Sequence, residues 1–371
     1  MGGVSRINCN LYDALSEDGI ECFFLSSTYN AKNEIYGNQL WLPERHILHS
    51  VVNIDWLHQL IEEKGVNIII NNIFDKDVIH FLDVARSNTQ CKIISWIHNN
   101  FVEHYSLIGY RREGLKKRNL FLTSPVIIKL LRHCAKVKYQ KIAQNIYQNS
   151  DIVLTVHEKN IKEFLFLLGQ KDRENKVISI PNFVLPIERE VSIREKSKSV
   201  VWCGTIDYAA KKTHWMLQIW KIVQSKHRDW KLIIIGDGKY LDSMKEYAKR
   251  LNVEHLSFVG RVKPDRYYRQ ATILCSTSIT ESFGLTLVEG MQNRVVPVAF
   301  ASSPSICDLV AGNGILIYPF DKKKFAEALS DLMSDAARCK MLSERCRQSS
   351  LTYEKTHVLG MWKNLIEEVS K

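Results

Sequence analysis

No stretch of this 371-residue chain approaches the ~20 consecutive apolar residues that a membrane-spanning helix needs. The N-terminus also lacks the charged region and apolar segment of a secretion signal. These two absences make the cytosol the expected compartment, with peripheral attachment to the inner face of the cell membrane left open. The nine cysteines (Cys9, Cys22, Cys91, Cys134, Cys203, Cys275, Cys307, Cys339 and Cys346) contain no C-x-x-C pair. Their scatter and odd number argue against a disulfide framework and against a zinc module, so reduced, mostly buried thiols and no metal are expected. No internal repeat or low-complexity tract occurs, which sets a solenoid aside. No RNP, KH, zinc-finger or recognition-helix pattern occurs either, so no nucleic-acid partner is expected.

What is present is ordinary globular composition, 45% hydrophobic and 25% charged, in a chain long enough for two cores. The net charge of +11 calls for anionic company. Much of it is concentrated in Arg111, Arg112, Lys116, Lys117 and Arg118, followed by Lys129, Arg132, His133, Lys136, Lys138 and Lys141. Phosphates and anionic lipid are the obvious counterparts.

Short apolar runs alternate with amphipathic segments, the pattern of βαβ units and parallel sheets. One series of strands is expected at Glu21–Leu25, Val66–Asn71, Lys92–Ile97, Ile152–Val156 and Val177–Ile180. A second is expected at Val200–Cys203, Leu232–Gly236, Ser257–Val259, Ala271–Ser276, Val296–Ala299 and Gly314–Ile317. The polar stretch Ile187–Ser199 reads as a linker. The boundaries are therefore set at 1–185 for an N-terminal domain and 186–350 for a second. A tail, 351–371, is expected to be helical over Tyr353–Val369 and to cross back to the first domain. Gly2-Gly3 leads into a helix over Arg6–Ser16 with no strand before it. Either the sequence starts at an internal methionine of a longer protein, which is preferred, or the first sheet lacks its opening strand.

The most informative segment is Ser276-Thr-Ser-Ile-Thr-Glu281-Ser282-Phe283-Gly284-Leu285-Thr286-Leu287-Val288-Glu289-Gly290-Met291. It leaves a strand, turns, and enters a helix near Phe283-Gly284. Glu281 falls in the turn and Glu289 inside the helix, eight positions on. Both can face the crevice at the strand's carboxyl end, where open α/β sheets bind ligands. The free amides around Gly284 and Leu285 suit a diphosphate, and the carboxylates suit hydroxyls on either side of it. A nucleotide sugar has that chemistry. Taken alone, two glutamates at this spacing favour the plainer reading, an exposed turn residue and a solvated helix residue.

With its flanks, the segment resembles the Glu-x7-Glu region of the family-four retaining glycosyltransferases. Trp202-Cys203-Gly204-Thr205 with Lys211-Lys212 is similar to the family's Gly-Arg-loop-Lys diphosphate segment. Leu232-Ile-Ile-Ile-Gly236-Asp237-Gly238 is similar to its Gly-Asp-Gly turn. Phe258-Val259-Gly260-Arg261-Val262 and Tyr267-Tyr268-Arg269-Gln270-Ala271 follow in the family's order. The resemblance implies a GT-B fold, two Rossmann-like domains facing across a cleft, and a retaining transfer of a hexosyl or N-acetylhexosaminyl group. It assigns Glu281 to the donor-sugar hydroxyls, Glu289 to the ribose, Lys211 to the diphosphate, and Arg261 and Val262 to the base. Gly236, Phe283, Gly284 and Leu285 complete the donor site. Thr205 stands where the family has an arginine, so one expected cation is missing. Lys212 is its only neighbouring substitute.

In the first half, Gly2-Gly3-Val4 resembles the family's glycine-rich loop, with Gly3 facing the donor. Ser95-Trp96-Ile97-His98-Asn99-Asn100 resembles a strand whose terminal histidine, His98, reaches the donor sugar. His157 and Glu158 occupy a similar place after another strand, where the structural reading is preferred. The mixed apolar and basic helix around Ile127-Ile128-Lys129-Leu130-Leu131-Arg132-His133 suits either an anionic membrane surface or ordinary packing on a sheet. The donor implied is a nucleotide sugar, UDP-linked in preference to GDP-linked. The acceptor is a hydroxyl of a glycan or lipid-linked saccharide in surface polysaccharide assembly, and no cofactor is required. The competing expectation is a non-catalytic, sugar-nucleotide-binding partner subunit that retains the fold.

Overall fold

The structure is a computed structural model and describes residues 3–26, 37–45, 47–98, 125–318 and 320–371. The sequence features at Gly2, Asn99, Asn100, Arg111, Arg112, Lys116, Lys117 and Arg118 lie outside the described residues, as do the side chains of Ile127, Ile128 and Leu131. The chain divides into two compact units. Unit 1 comprises Met1–Phe183 and Lys355–Lys371, and unit 2 is Val184–Glu354.

Unit 1 carries strands β1 (Phe24–Ser26), β2 (Gln39–Trp41), β3 (Ile68–Asn71), β4 (Lys92–Ile97), β5 (Ile152–Thr155) and β6 (Val177–Ser179). Its first five helices are α1 (Gly3–Glu17), α2 (Val51–Lys64), α3 (Lys76–Ala85), α4 (Pro125–Asn149) and α5 (Glu158–Leu168). β3-β4-β5-β6 form one sheet in sequence order, and β1-β2 form a separate ribbon; every pairing is parallel. The run Ile93–Ile97 is buried throughout, as a strand covered by helices on both faces must be. α1 starts three residues earlier than the periodicity indicates, so Gly3 is the first residue of a helix instead of part of a loop. β2 is a strand that the sequence pattern did not reveal, because three residues carry too short a period to read.

In unit 2 the strands are β7 (Ser197–Cys203), β8 (Lys231–Ile235), β9 (Leu256–Phe258), β10 (Ala271–Ser276), β11 (Val296–Phe300) and β12 (Ile315–Ile317). The helices are α6 (Thr213–Val223), α7 (Leu241–Arg250), α8 (Asp265–Gln270), α9 (Leu285–Gln292), α10 (Pro304–Val310), α11 (Lys322–Ser334) and α12 (Ala336–Ser350). The last helix of the chain, α13 (Lys355–Val369), counts with unit 1. The unit 2 sheet is fully parallel with order β12-β11-β10-β7-β8-β9. The order runs outward from β7 in one direction and from β10 in the other, so the topological switch point lies between those two strands. The core beneath it is dense, with Trp202, Trp220, Phe300 and Phe325 at 2% exposure or less.

The segment 187–199 is not a free tether. Ser197–Ser199 already belong to β7. Upstream, Arg189 pairs with Glu195, Glu188 with Arg269, and Glu190 with Arg347 at 2.5 Å, while Val191 is 2% exposed. Charges that look solvated in the sequence hold this stretch on unit 2.

All nine cysteines are free, and Cys9, Cys91, Cys275, Cys339 and Cys346 are buried. Burial pushes the Cys346 thiol up to about 12 and the Cys91 thiol up to about 11, so neither is a reactive thiolate.

Candidate functional site

The loops that leave β7, β8 and β9 are tied to one another through the backbone. The Gly204 amide donates to Ile235 O at 3.0 Å, Ile206 N to Asp237 O at 2.9 Å, and Gly236 N to Gly260 O at 2.9 Å. Glycine is obligatory in two of these places. Gly236 has φ +140°, and a Cβ there would stand 1.9 Å from Gly204 O; one on Gly238 would stand 2.5 Å from Ile206 O. The three strand ends thus fuse into one rim, which positions Thr205, Gly236 and Arg261 side by side in the fold. Thr205, Arg261 and Val262 are exposed.

Across the switch point, the loop after β7 meets the loop after β10. Lys211 Nζ and Glu281 Oε2 form an ion pair, with the side chains 26% and 20% exposed. The surrounding backbone fixes both ends. Asp207 Oδ1 accepts the Lys211 amide at 2.9 Å, and Ile279 N donates to Ala210 O at 2.9 Å. Thr277, fully buried, donates its hydroxyl to Lys211 O at 2.8 Å while accepting from the Trp202 indole at 2.9 Å. Asp207 and Thr277 are positioning residues that spacing alone did not single out; each becomes visible only when the two loops are placed together.

Lys212 does not replace the missing arginine. It sits in left-handed backbone (φ 52°) at 1% exposure, and its ammonium donates to Tyr208 O at 2.7 Å and lies over the Trp215 ring. Adjacent lysines therefore serve opposite sides of the loop, one the site and one the core.

Glu281 leads into a turn that ends at Gly284, whose φ of +92° sets the start of α9 at Leu285. The N-cap is this glycine, which offers no side-chain acceptor to the helix's first amides. Ser305 Oγ donates to Ser282 O at 2.7 Å, and Phe283 is 6% exposed with its ring edge-on to Tyr353 at 5.5 Å. The Phe283 side chain thus anchors the turn. Glu289 lies in the second turn of α9 and is half-buried. Lys196 holds the other end of the helix, donating to Asn293 O at 2.6 Å and Tyr268 O at 2.9 Å; burial lowers its pKa to about 7.

In unit 1, His98 leaves β4 at 5% exposure. Its Nε2 meets Asn72 Oδ1 at 2.9 Å, and Trp96 packs on the ring at 4.2 Å. Burial lowers the imidazole pKa to about 4. The ring is therefore neutral near pH 7. With its proton committed to Asn72, it keeps Nδ1 as an acceptor, for which no described residue supplies a donor. His157 caps α5, accepting the Lys159 amide at 3.2 Å, and Glu158 follows as the first residue of that helix. Gly3 and His98 belong to unit 1, and every other residue singled out for donor binding belongs to unit 2.

Two parallel-sheet Rossmann-like units, the second with its topological switch point between β7 and β10, define a GT-B fold. Solved structures share it. Anabaena HepE in complex with UDP matches with a TM-score of 0.74 over 99% of this chain and 96% of that one, at 14% identity. The family model described as glycosyl transferases group 1 matches residues 186–349. An uncharacterized glycosyltransferase of Haemophilus influenzae is 25% identical over 98% of this chain and 96% of its own length. The GalNAc-alpha-(1->4)-GalNAc-alpha-(1->3)-diNAcBac-PP-undecaprenol alpha-1,4-N-acetyl-D-galactosaminyltransferase of Campylobacter jejuni is 25% identical over 47% of this chain and 49% of its own length.

Proposed function

We propose that the protein is a retaining glycosyltransferase that moves a sugar from a UDP-sugar to a hydroxyl of a glycan or lipid-linked saccharide. The observation that carries this is the Lys211–Glu281 pair at the switch point, between the glycine rim after β7 and β8 and the uncapped start of α9. A diphosphate on the α9 amides would draw Lys211 to its leaving oxygen. It would release Glu281 to accept hydrogen bonds from sugar hydroxyls, while Glu289 holds the ribose. In the reaction, the bond from C1 to the diphosphate oxygen breaks as the acceptor oxygen bonds to C1 on the same face. The acceptor proton passes to the departing diphosphate, and UDP leaves. Lys211 offsets the charge that develops there. Neutral His98, presenting Nδ1, suits a hydrogen bond from a donor-sugar hydroxyl and does not suit a general acid.

UDP is preferred because solved relatives of the same fold, HepE among them, hold it. A lipid-linked acceptor has two supports. One is the Campylobacter relative, whose acceptor is undecaprenol-linked by name. The other is α4, where Val126, Leu130 and Val137, exposed at 76%, 58% and 65%, form one ridge beside exposed Lys129, Lys138 and Lys141. That surface suits an anionic membrane.

Thr205, exposed in place of a second cation, favours one alternative: a partner subunit that binds a sugar nucleotide without turning it over. Calorimetry with UDP and GDP, on the wild type and on Glu289→Ala, followed by UDP release from UDP-glucose, UDP-galactose and UDP-N-acetylglucosamine, separates the readings. Saturable UDP binding that weakens about 10- to 100-fold in the variant supports the donor site. Binding without turnover on any lipid-linked acceptor supports the partner subunit. A folded protein that binds neither nucleotide overturns both.

A further inference from the structure

Lys196 immediately precedes β7, Tyr268 stands three residues before β10, and Asn293 three before β11. These strands are neighbours in one parallel sheet, in the order β11-β10-β7, so the three residues meet at its amino edge. Glu281 and the start of α9 lie at the opposite, carboxyl edge. Lys196 is half-buried, and its ammonium donates to Tyr268 O at 2.9 Å and to Asn293 O at 2.6 Å. Its backbone is placed by the preceding turn, which Ser192 and Glu195 close reciprocally and to which the Lys196 amide donates at Ile193 O. Asn293, 2% exposed, carries the contact into α9. Its side-chain amide donates to Glu289 O at 2.9 Å and its backbone amide to Gly290 O at 3.0 Å. Glu289 is four residues earlier, one helical turn away on the same face.

Apolar packing alone does not fix a helix as short as α9. It buries Leu287, Val288 and Met291, but hydrophobic contact is non-directional. A rotation of ~10° about the axis moves a carboxylate ~6 Å from it by about 1 Å, enough to break a hydrogen bond. Directional bonds at the back of the helix oppose that rotation. Burial also costs the ammonium, as its pKa of about 7 shows, and a methionine would fill the same space without that cost. We infer that Lys196 and Asn293 are positioning residues for Glu289: from the amino edge of the sheet they set the rotation of α9 and hence the place of its carboxylate against the ribose. This rests on the donor-site reading of Glu289.

The test is calorimetry of the full chain with UDP and with 2′,3′-dideoxy-UDP, which lacks both ribose hydroxyls. The wild type is expected to prefer UDP by about 10- to 100-fold, and Glu289→Ala to abolish the preference. Lys196→Met and Asn293→Ala should each lower it by about three- to tenfold, while affinity for the dideoxy compound stays within about twofold. On the Glu289→Ala background neither change lowers it further. Equal weakening of both nucleotides, or an unchanged preference in folded variants, overturns the inference and leaves the ribose assignment standing. If Lys196→Met fails to fold, Asn293→Ala, which leaves the backbone acceptor of the lysine in place, must still lower the preference, and its failure to do so overturns the proposal. A wild type that does not distinguish the two nucleotides, or a Glu289→Ala variant that keeps the preference, sinks the donor-site reading of Glu289 and this inference with it.

Discussion

At the scale of single residues, the site is held by groups whose replacement has different signatures. Lys211→Ala removes one cation from a half-buried pair and is expected to lower kcat by about 10²- to 10³-fold, with a smaller effect on UDP affinity, because the lysine meets charge that grows in the transition state. Steady-state UDP release beside calorimetry distinguishes the two effects. Gly236→Ala forces a Cβ against Gly204 O and is expected to destabilise unit 2 by more than about 2 kcal/mol, read in urea melts. His98 gives a pH dependence of known sign. Its folded pKa of about 4 lies below the ordinary histidine value of 6.5, so the unfolded chain binds the extra proton. Stability is full above about pH 6.5 and is lost as pH falls towards 4. His98→Gln should flatten the thermal midpoint over that window.

At the scale of elements, β10, the turn and the helix that carry Glu281 and Glu289 are legible in the sequence, because an apolar run, a glycine with positive φ and a helical period follow one another without interruption. β4 is legible for the same reason. The short edge elements are not: three-residue β2 has no readable period, and α1 absorbs Gly3 because two glycines ahead of a helical pattern give no sign of where the first hydrogen-bonded turn closes. The docking of 187–199 on unit 2 is not legible either, for a physical reason. Charged residues look alike whether solvated or paired, and Arg189, Arg269 and Arg347 find their carboxylates only in three dimensions. The long helix α4 allows a direct check of membrane binding. Phosphatidylglycerol vesicles should sediment the protein at low salt and phosphatidylcholine vesicles should not. Lys129→Glu and Lys141→Glu should each weaken binding roughly fivefold, while nucleotide affinity stays unchanged.

At the scale of the whole molecule, unit 1 is built from both ends of the chain. α13 packs Trp362, fully buried, edge-on against Trp96 at 4.7 Å, and Lys363 and Lys355 pair with Asp18 and Glu17 at the end of α1. Trp362→Ala is expected to cost unit 1 about 3–5 kcal/mol. Two transitions in calorimetry, with only the UDP-insensitive one moving, would show that the damage stays in that unit. Where the chain passes between units, Val184 N donates to Tyr353 O at 2.9 Å, so the outgoing and returning strands run together. This connectivity reverses the usual order of events on the ribosome. Domains generally complete themselves from the N-terminus as they emerge, but here Val184–Glu354 is finished and able to close while the earlier-made Met1–Phe183 still lacks its last helix. A stall or a premature stop within Lys355–Lys371 would therefore release a protein with a mature second unit and an unfinished first one, with the Trp96 face left uncovered for chaperone or protease.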